Sequence, residues 1–455
     1  MKFTPKFDPG FQPLSVVFRD CTEQAKKEGH KTLTLCAERN DGYNYRFAYP
    51  IFTAPEKEAL NCRLAERIVK TLLWAVGGYK VYICGDDAVF RAVRDAYTMT
   101  GTRAFDADFM QKMFEHPLEI VSCTADEMPA FKPCSLPVGG HLDGCRIGFD
   151  AGGSDRKVSA VVDGEVIFSE EVVWFPKTNA DPSYHYAGIL DAMKTAASKM
   201  PRVDAIGVSS AGDFVNNRVM VSSLFIKVPD DLYESKVRNM YIDVAREIGP
   251  DIPLVVANDG DVTALAGAMG LGENRILGIA MGTSEAVGYI NRDGGLNGWL
   301  SELAFAPVDF NPDAAVDEWS GDIGCGCKYF SQDSVIKLAE AGGFRFEEGL
   351  SPAEKLKVIQ KMMADGDPFA QTIYEDIGIY LGYALAYYAL FYDIGHVLLL
   401  GRVTSGKGGD IIMDKAREVL AAEFPQYRFT IGMPDEKTRR VGQSIAAASL
   451  APSKK

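Results

Sequence analysis

From Cys145 onward the chain alternates short apolar runs with helix-spaced segments, and three glycine-rich turns each follow an apolar run. Residues 146–149, 158–162 and 166–173 read as strands, the last two joined by the hairpin pair Asp163-Gly164. Residues 184–200 have helical spacing, 205–209 read as a short buried strand, 234–248 as a helix and 254–257 as another strand. A small-residue helix over 262–269 precedes a strand over 277–281. Helices follow at 333–341, 352–364, 368–392, 411–424 and 436–450, with a strand at 397–400 among them. Strands and helices in this alternation specify an α/β protein with mixed sheets.

The first 140 residues read differently. Residues 32–36 and 45–51 form a strand pair joined through Asn40-Asp41-Gly42, followed by a helix over 56–76, a strand over 80–84 and a helix over 88–96. This is a plausible α/β unit of its own, and residues 128–140, with three prolines and Gly139-Gly140, read as the joint. The expected role of the unit is to stabilise or dimerise the protein; the alternative is a lid or second ligand site around Gly85-Asp86-Asp87. A length of 455 residues accommodates two to four domains.

Charge and cysteine usage narrow the class. With 48 Lys and Arg against 62 Asp and Glu the net charge is −14, which argues against a broad grip on nucleic acid or anionic lipid. Nine scattered cysteines fit no disulfide framework, and the start of the chain lacks the apolar run of a signal peptide, so a cytoplasmic location is expected. The uncharged stretch 377–392 is sixteen residues long, short of the roughly 20 that span a bilayer, and is expected to be a buried helix.

Each glycine turn is a candidate phosphate cradle, because backbone N–H groups are accessible there. The first is Phe149-Asp150-Ala151-Gly152-Gly153-Ser154, where Ser154 adds a hydroxyl and Asp150 can hold Mg²⁺ through water. The second is Met281-Gly282-Thr283-Ser284, and the third runs from Gly401 to Gly409. The third nearly spells a P-loop, but Gly408 stands where Ser or Thr should meet Mg²⁺, so that reading fails. Asn258-Asp259 lies between a buried strand and a helix, which places a carboxylate where α/β sheets bind ligands and where it can take a proton from a hydroxyl. Asp259 reads equally as an N-cap of the following helix.

Taken in order, Asp150-x-Gly-Gly-Ser, Gly207-Val-Ser-Ser-Ala-Gly212, Ala257-Asn-Asp259, Gly282-Thr-Ser and Leu398-Leu-Leu-Gly401 resemble the ROK family of sugar kinases and sugar-responsive repressors, within the actin-like, hexokinase-like ATPase superfamily. The resemblance covers about residues 145–455. It implies an α/β fold of two RNase H-like (actin-like ATPase) lobes, 145–258 plus 430–455 and 259–429, with residues 1–140 as an additional N-terminal α/β unit. It also implies ATP-dependent phosphorylation of a sugar or related polyol with Mg²⁺. By resemblance Asp259 is the catalytic base, and Asn258, Glu302, Ser210 and Gly212 bind substrate. Gly152, Gly153, Ser154, Gly282, Thr283, Ser284, Gly401, Ser405 and Gly406 hold ATP. A homodimer is the expected assembly.

The departures from the family pattern carry expectations too. Phe305 occupies the family's histidine position, and where a three-cysteine zinc finger should follow only Cys325-Gly326-Cys327 appears, so no zinc is expected. The second sugar-binding glutamate is replaced in Lys328-Tyr329-Phe330. Glu285 stands where a small residue usually follows the second phosphate turn, and a carboxylate there repels ATP unless it binds Mg²⁺ or points away. The family's repressors carry a winged helix-turn-helix, whereas residues 1–140 contain no basic recognition helix, so no nucleic-acid partner is expected. A catalytically inactive, sugar-binding regulator is the alternative to a kinase. A nicotinamide enzyme is set aside, since no strand is followed by Gly-x-Gly-x-x-Gly.

Overall fold

The computed structural model describes every residue except 135–137, 435–441, 443–444 and 454–455. The chain forms two compact units, one of residues 1–134, 279–287 and 298–433, the other of 135–278, 288–297 and 434–455.

In the first unit, β1 (His30–Glu38) and β2 (Asn44–Phe52) pair antiparallel, with His30 opposite Phe52 and Glu38 opposite Asn44. The Asn40-Asp41-Gly42 turn between them puts Asp41 at φ +61°, a conformation Asp tolerates. β3 (Lys80–Cys84) joins the other edge of β1 antiparallel, and β4 (Glu119–Ser122) runs parallel to β3. Helices Leu14–Glu28 and Ala104–Phe114, unanticipated from sequence, complete this part. The first starts behind Pro13 and ends in the charged Lys26-Lys27-Glu28, so only its first turns carry a strong apolar signal.

Helix Glu58–Ala75 explains why residues 1–134 share an interior with residues 298–433. It buries Arg67 and Lys70 along with its apolar face, and both cations meet Asp322 at 2.9 Å. Lys70 also reaches Asp106 at 3.0 Å, and Arg103 reaches Asp322 at 2.5 Å. The end of the helix is held by backbone bonds from Ser301 to Ala75 and from Glu302 to Trp74, and Trp74 packs against Phe305 with ring centroids 4.4 Å apart. The stretch that reads as a separate N-terminal unit is therefore built into a larger one. Asp86 of the Gly85-Asp86-Asp87 turn is committed to capping helix Asp87–Ala96, accepting from the N–H groups of Ala88 and Val89.

The second unit holds a five-stranded sheet. β5 (Cys145–Ala151), β6 (Asp155–Val162) and β7 (Glu165–Val173) form an antiparallel meander, and the Asp163-Gly164 hairpin turn has both residues at positive φ. β8 (Ala205–Ser210) lies parallel to β5 on its other side. A small hairpin of β9 (Asp213–Val215) and β10 (Arg218–Val221) follows, turning through Asn216-Asn217, and its strands are too short to show a period in the sequence. β11 (Leu254–Asn258) then pairs parallel with β8, completing the order β11-β8-β5-β6-β7. Ile147, Phe149, Val208, Ile189, Met193 and Tyr241 are among the buried side chains packed on this sheet. The helix expected over 234–248 is divided: a π-helical turn at Tyr233–Val237 precedes Met240–Ile248. Between them Arg238 turns inward and donates to the carbonyls of Val219 and Met220. The helix expected over 436–450 falls largely on residues outside the description, and 445–448 are helical.

β12 (Ile276–Met281) and β13 (Glu285–Ile290) are the strands along which the chain passes between units, and with β14 (His396–Leu400) and β15 (Thr430–Gly432) they form a sheet of order β13-β12-β14-β15. Helix Pro368–Tyr388 is buried over most of its length, so the uncharged stretch lies in the interior of the first unit. Its Asp376 accepts from the backbone N–H groups of Lys6 and Phe7 at 2.7 and 2.8 Å. Among the described residues no helix is long and apolar enough to cross a membrane.

Candidate active site

Strand register assembles the first half of the site. β5, β8 and β11 run parallel and side by side, so their carboxyl ends lie along one edge, with Asp150 opposite Ser209 and Asn258 opposite Ser210. That edge is the ligand-binding side of an α/β sheet. Ser209 Oγ donates to Asp150 Oδ1 at 2.9 Å. Burial pushes the Asp150 carboxyl up to about 6; the Ser209 hydroxyl opposes the shift and the charge of Asp259 adds to it.

The cap of helix Asp259–Leu271 is Asn258 and not Asp259. Asn258 Oδ1 accepts from Gly260 N–H at 2.7 Å, and its Nδ2 donates to the Gly212 carbonyl at 2.9 Å, which ties the helix start to the end of β8. Asp259 is the first helical residue, and its carboxylate accepts from Gly260 N–H at 3.0 Å. Burial raises the pKa of Asp259, against the stabilising Gly260 bond and the charge of Lys177. Asp213 and Asp261 stand in the same neighbourhood, each pushed up to about 7, first by burial and then by the Asp259 charge among others. Ser210 is fully buried, and its hydroxyl bonds to that of Tyr241 at 2.8 Å.

The first glycine turn lies where β5 turns into β6. Gly152 N–H donates to Asp155 O at 3.0 Å, while Gly153 and Ser154 are exposed. Ser154 Oγ bonds to Asp155 at 3.1 Å. The turn is anchored by Trp174, at the end of β7, whose indole N–H donates to Gly152 O and whose backbone N–H donates to Ser154 O. Lys177 extends over Gly153.

In the other unit, Gly282-Thr283-Ser284 forms the tight link from β12 to β13, with Gly282 N–H donating to Ser284 O and Gln332 N–H donating to Gly282 O. β14 neighbours β12, which brings Gly401 onto this turn; at φ +94° it passes so close to Met281 that a β-carbon would overlap the Met281 carbonyl. The next residue, Arg402, donates to Thr283 Oγ1 at 3.1 Å. Ser405 N–H bonds back to Arg402 O, and Gly406 precedes helix Lys407–Glu423 as its cap. Thus Asp150, Gly152, Gly153, Ser154, Ser210, Gly212, Asn258 and Asp259 belong to one unit, and Gly282, Thr283, Ser284, Glu302, Gly401, Ser405 and Gly406 to the other.

Two cations beside the turns, Arg402 and Lys177, escape sequence reasoning. Arg402 was discoverable, since it directly follows the glycine that ends an apolar strand. Lys177 was not, because it lies 24 positions beyond Gly153 (177 − 153) and only the meander brings it back. Glu302 is half-buried on the segment bound to Trp74. Phe305 packs between Trp74 and Phe105, so an aromatic cluster fills that position. Glu285 points into the protein, with both oxygens buried and without a hydrogen-bond partner among the described residues, and burial raises its pKa to about 8. Cys325 and Cys327 are buried thiols, the former pushed up to about 12 chiefly by desolvation. Among the described residues no group of three or more His, Cys, Asp or Glu is placed to hold a metal ion.

No family model and no curated protein sequence matches the chain. Its structure is similar to the ROK hexokinase from Thermus thermophilus, with a TM-score of 0.52 and 18% identity over 67% of this chain and 97% of that one. It is also similar to a ROK family transcriptional regulator that is a homolog of the E. coli MLC protein, with a TM-score of 0.51 and 17% identity over 68% of this chain and 79% of that one. Over about two thirds of its length the chain therefore has the fold of the ROK family proteins.

Proposed function

We propose that the protein is an ATP-dependent kinase of the ROK type that phosphorylates a hydroxyl of a sugar or sugar-like polyol, with Asp259 as general base. The observation that carries this reading is the register of β5, β8 and β11, which sets Asp150 and the first glycine turn on the same sheet edge as Asn258-Asp259. Because Asn258 does the capping, the Asp259 carboxylate is left for chemistry. Burial raises its pKa above the usual carboxylate value, which strengthens its affinity for the proton it would take as a general base.

In the proposed reaction the acceptor hydroxyl gives its proton to Asp259 as its oxygen bonds to the γ-phosphorus. The bond from that phosphorus to the bridging oxygen breaks, and the electron pair leaves on ADP. Catalysis of this kind rests on positioning and charge. Gly152, Gly153 and Ser154 would seat phosphate through backbone N–H groups and a hydroxyl, as would Gly282, Thr283 and Ser284. Gly401, Ser405 and Gly406 would lie against adenosine. Glu302, Ser210 and Gly212 complete the proposed substrate set, Ser210 and Gly212 by shaping the backbone at the end of β8. Mg²⁺ fits this donor set as an ion carried by nucleotide phosphates and held by Asp150 through water, a common arrangement for an ion that keeps most of its hydration. When bound it would neutralise phosphate charge. In this reading the RNase H-like lobes are 145–258 plus 430–455 and 259–429.

ADP formation measured across a panel of hexoses, amino sugars and polyols tests the proposal. A sugar-dependent rise in ADP supports it. Sugar affinity by calorimetry with no ADP would replace it with the non-catalytic regulator, a role for which the fold also serves.

A further inference from the structure

The segment after β7 places an ammonium group over the first glycine turn. Lys177 sits in the 3₁₀ turn Pro176–Thr178, and its Cε and Nζ lie 3.0 and 3.2 Å from the point where a β-carbon on Gly153 would stand. The lysine stem thus occupies space that any side chain at position 153 would contest.

The backbone under Lys177 is fixed from several sides. Trp174 is buried, and its two hydrogen bonds to Gly152 O and Ser154 O, at 2.7 and 3.1 Å, fasten this segment to the turn. Buried His185 lies with Nε2 3.0 Å from the carbonyl oxygen of Pro176, and Asn179 Nδ2 donates to Phe175 O at 2.6 Å. The side chain itself is free: Lys177 is exposed, and among the described residues no carboxylate lies within ion-pair distance of it. Its charge is nonetheless felt by Asp259, whose carboxylate it stabilises.

The local charge balance says what such a group is for. Burial, and after it the charge of Asp259 among others, raises the pKa values of Asp150, Asp213 and Asp261 at these strand ends, a poor setting for a phosphoryl group unless a cation stands at the turn. Lys177 stands at the turn that would seat the phosphate, and its charge is felt by the carboxylate that would take the proton. We propose that Lys177 is a catalytic residue that donates hydrogen bonds to the non-bridging oxygens of the phosphoryl group as it passes to the acceptor. This assignment rests on the kinase reading above. Lys177 only donates hydrogen bonds, so the proton still moves from the acceptor hydroxyl to Asp259 and the electron pair still leaves on ADP. Its contribution is to charge that develops in transfer.

The test is steady-state kinetics of the full chain with MgATP and the best acceptor from the sugar panel, for the wild type and Lys177→Met. Removing one such donor is expected to lower kcat about 100-fold. The acceptor KM should stay within about threefold, the signature of an interaction made mainly in the transition state. The acid limb of the kcat/KM profile should move to higher pH, because Asp259 loses a stabilising neighbour. An unchanged melting temperature would show that the variant folds, as expected for an exposed side chain. An active wild type with a K177M kcat within about threefold of it would overturn this assignment and leave the kinase reading standing. A loss confined to acceptor KM would also overturn it, by placing Lys177 on the sugar. A wild type that phosphorylates no acceptor would overturn both.

Discussion

The Ser209 hydroxyl donates to Asp150 Oδ1 across neighbouring parallel strands, at 2.9 Å, from positions that the β5–β8 register sets directly opposite each other. This bond holds down a carboxyl that burial pushes to about 6. Ser209→Ala removes it, so Asp150 should titrate higher still. On the proposed reaction, the variant should need more Mg²⁺ for half-maximal rate below pH 7, with the difference fading as pH rises. Magnesium titrations at pH 6 and 8 check this, and identical curves at pH 6 would remove Asp150 from the metal-holding role.

Asp259 and Asn258 divide two tasks that the sequence leaves on one residue. Asn258 closes the helix start by bonding Gly260 N–H and Gly212 O, while Asp259 contributes little to the cap. Asp259→Asn keeps the size and the acceptor oxygen but removes the base. The expected loss in kcat is about 10²–10⁴-fold. Nucleotide affinity by calorimetry and the melting temperature should barely move. Asn258→Ala should do the reverse first, lowering stability by about 0.5–2 kcal/mol, the usual cost of a lost cap. Full turnover in the Asp259→Asn enzyme would end its candidacy.

Where the sequence was legible, a local signal coincided with the tertiary outcome. The Asp163-Gly164 hairpin, the strand before Asn258 and the buried helix around residues 377–388 all needed only their own residues to be read. Helix Glu58–Ala75 shows the limit. Arg67 and Lys70 on it look like solvated charges, and nothing near them in sequence says that Asp322, some 250 positions away, is their partner. The same holds for Lys177 over Gly153. Contacts set by a long-range fold leave no period and no motif behind, so the merging of residues 1–134 with 298–433 was invisible before the structure.

Asp322 supplies a sharp test of that merging. One buried carboxylate meets Arg67, Lys70 and Arg103, and although burial pushes its pKa up, Lys70 and Arg67 more than offset this and hold it low. Asp322→Asn leaves buried cations short of a counter-charge, which is expected to cost about 3–5 kcal/mol by urea unfolding. Lys31→Ala is the control: it breaks a pair with Asp86 whose lysine is half exposed, and should cost at most about 1 kcal/mol. Equal costs for the two variants would mean that the network does not bind the two stretches together.

Glu285 answers the objection its position raises. The sequence sets a carboxylate next to the second phosphate turn, yet the side chain lies inside, near Tyr388 and Cys327, with neither oxygen bonded among the described residues. Burial lifts its pKa from 4.5 to about 8, so at pH 7 it is neutral and adds no negative charge beneath Gly282-Thr283-Ser284. The folded state then holds a proton that the unfolded chain releases above about 4.5, so this group's contribution to stability is complete below that pH and is lost as pH rises toward 8. Glu285→Gln cannot release a proton and should remove this dependence. Relative to the wild type, the variant should gain about 1.4 kcal/mol per pH unit between pH 5 and 8. Urea unfolding at half-unit steps measures the difference, and a gap between the two proteins that stays constant with pH would mean that Glu285 is ionised in the folded protein and paired after all.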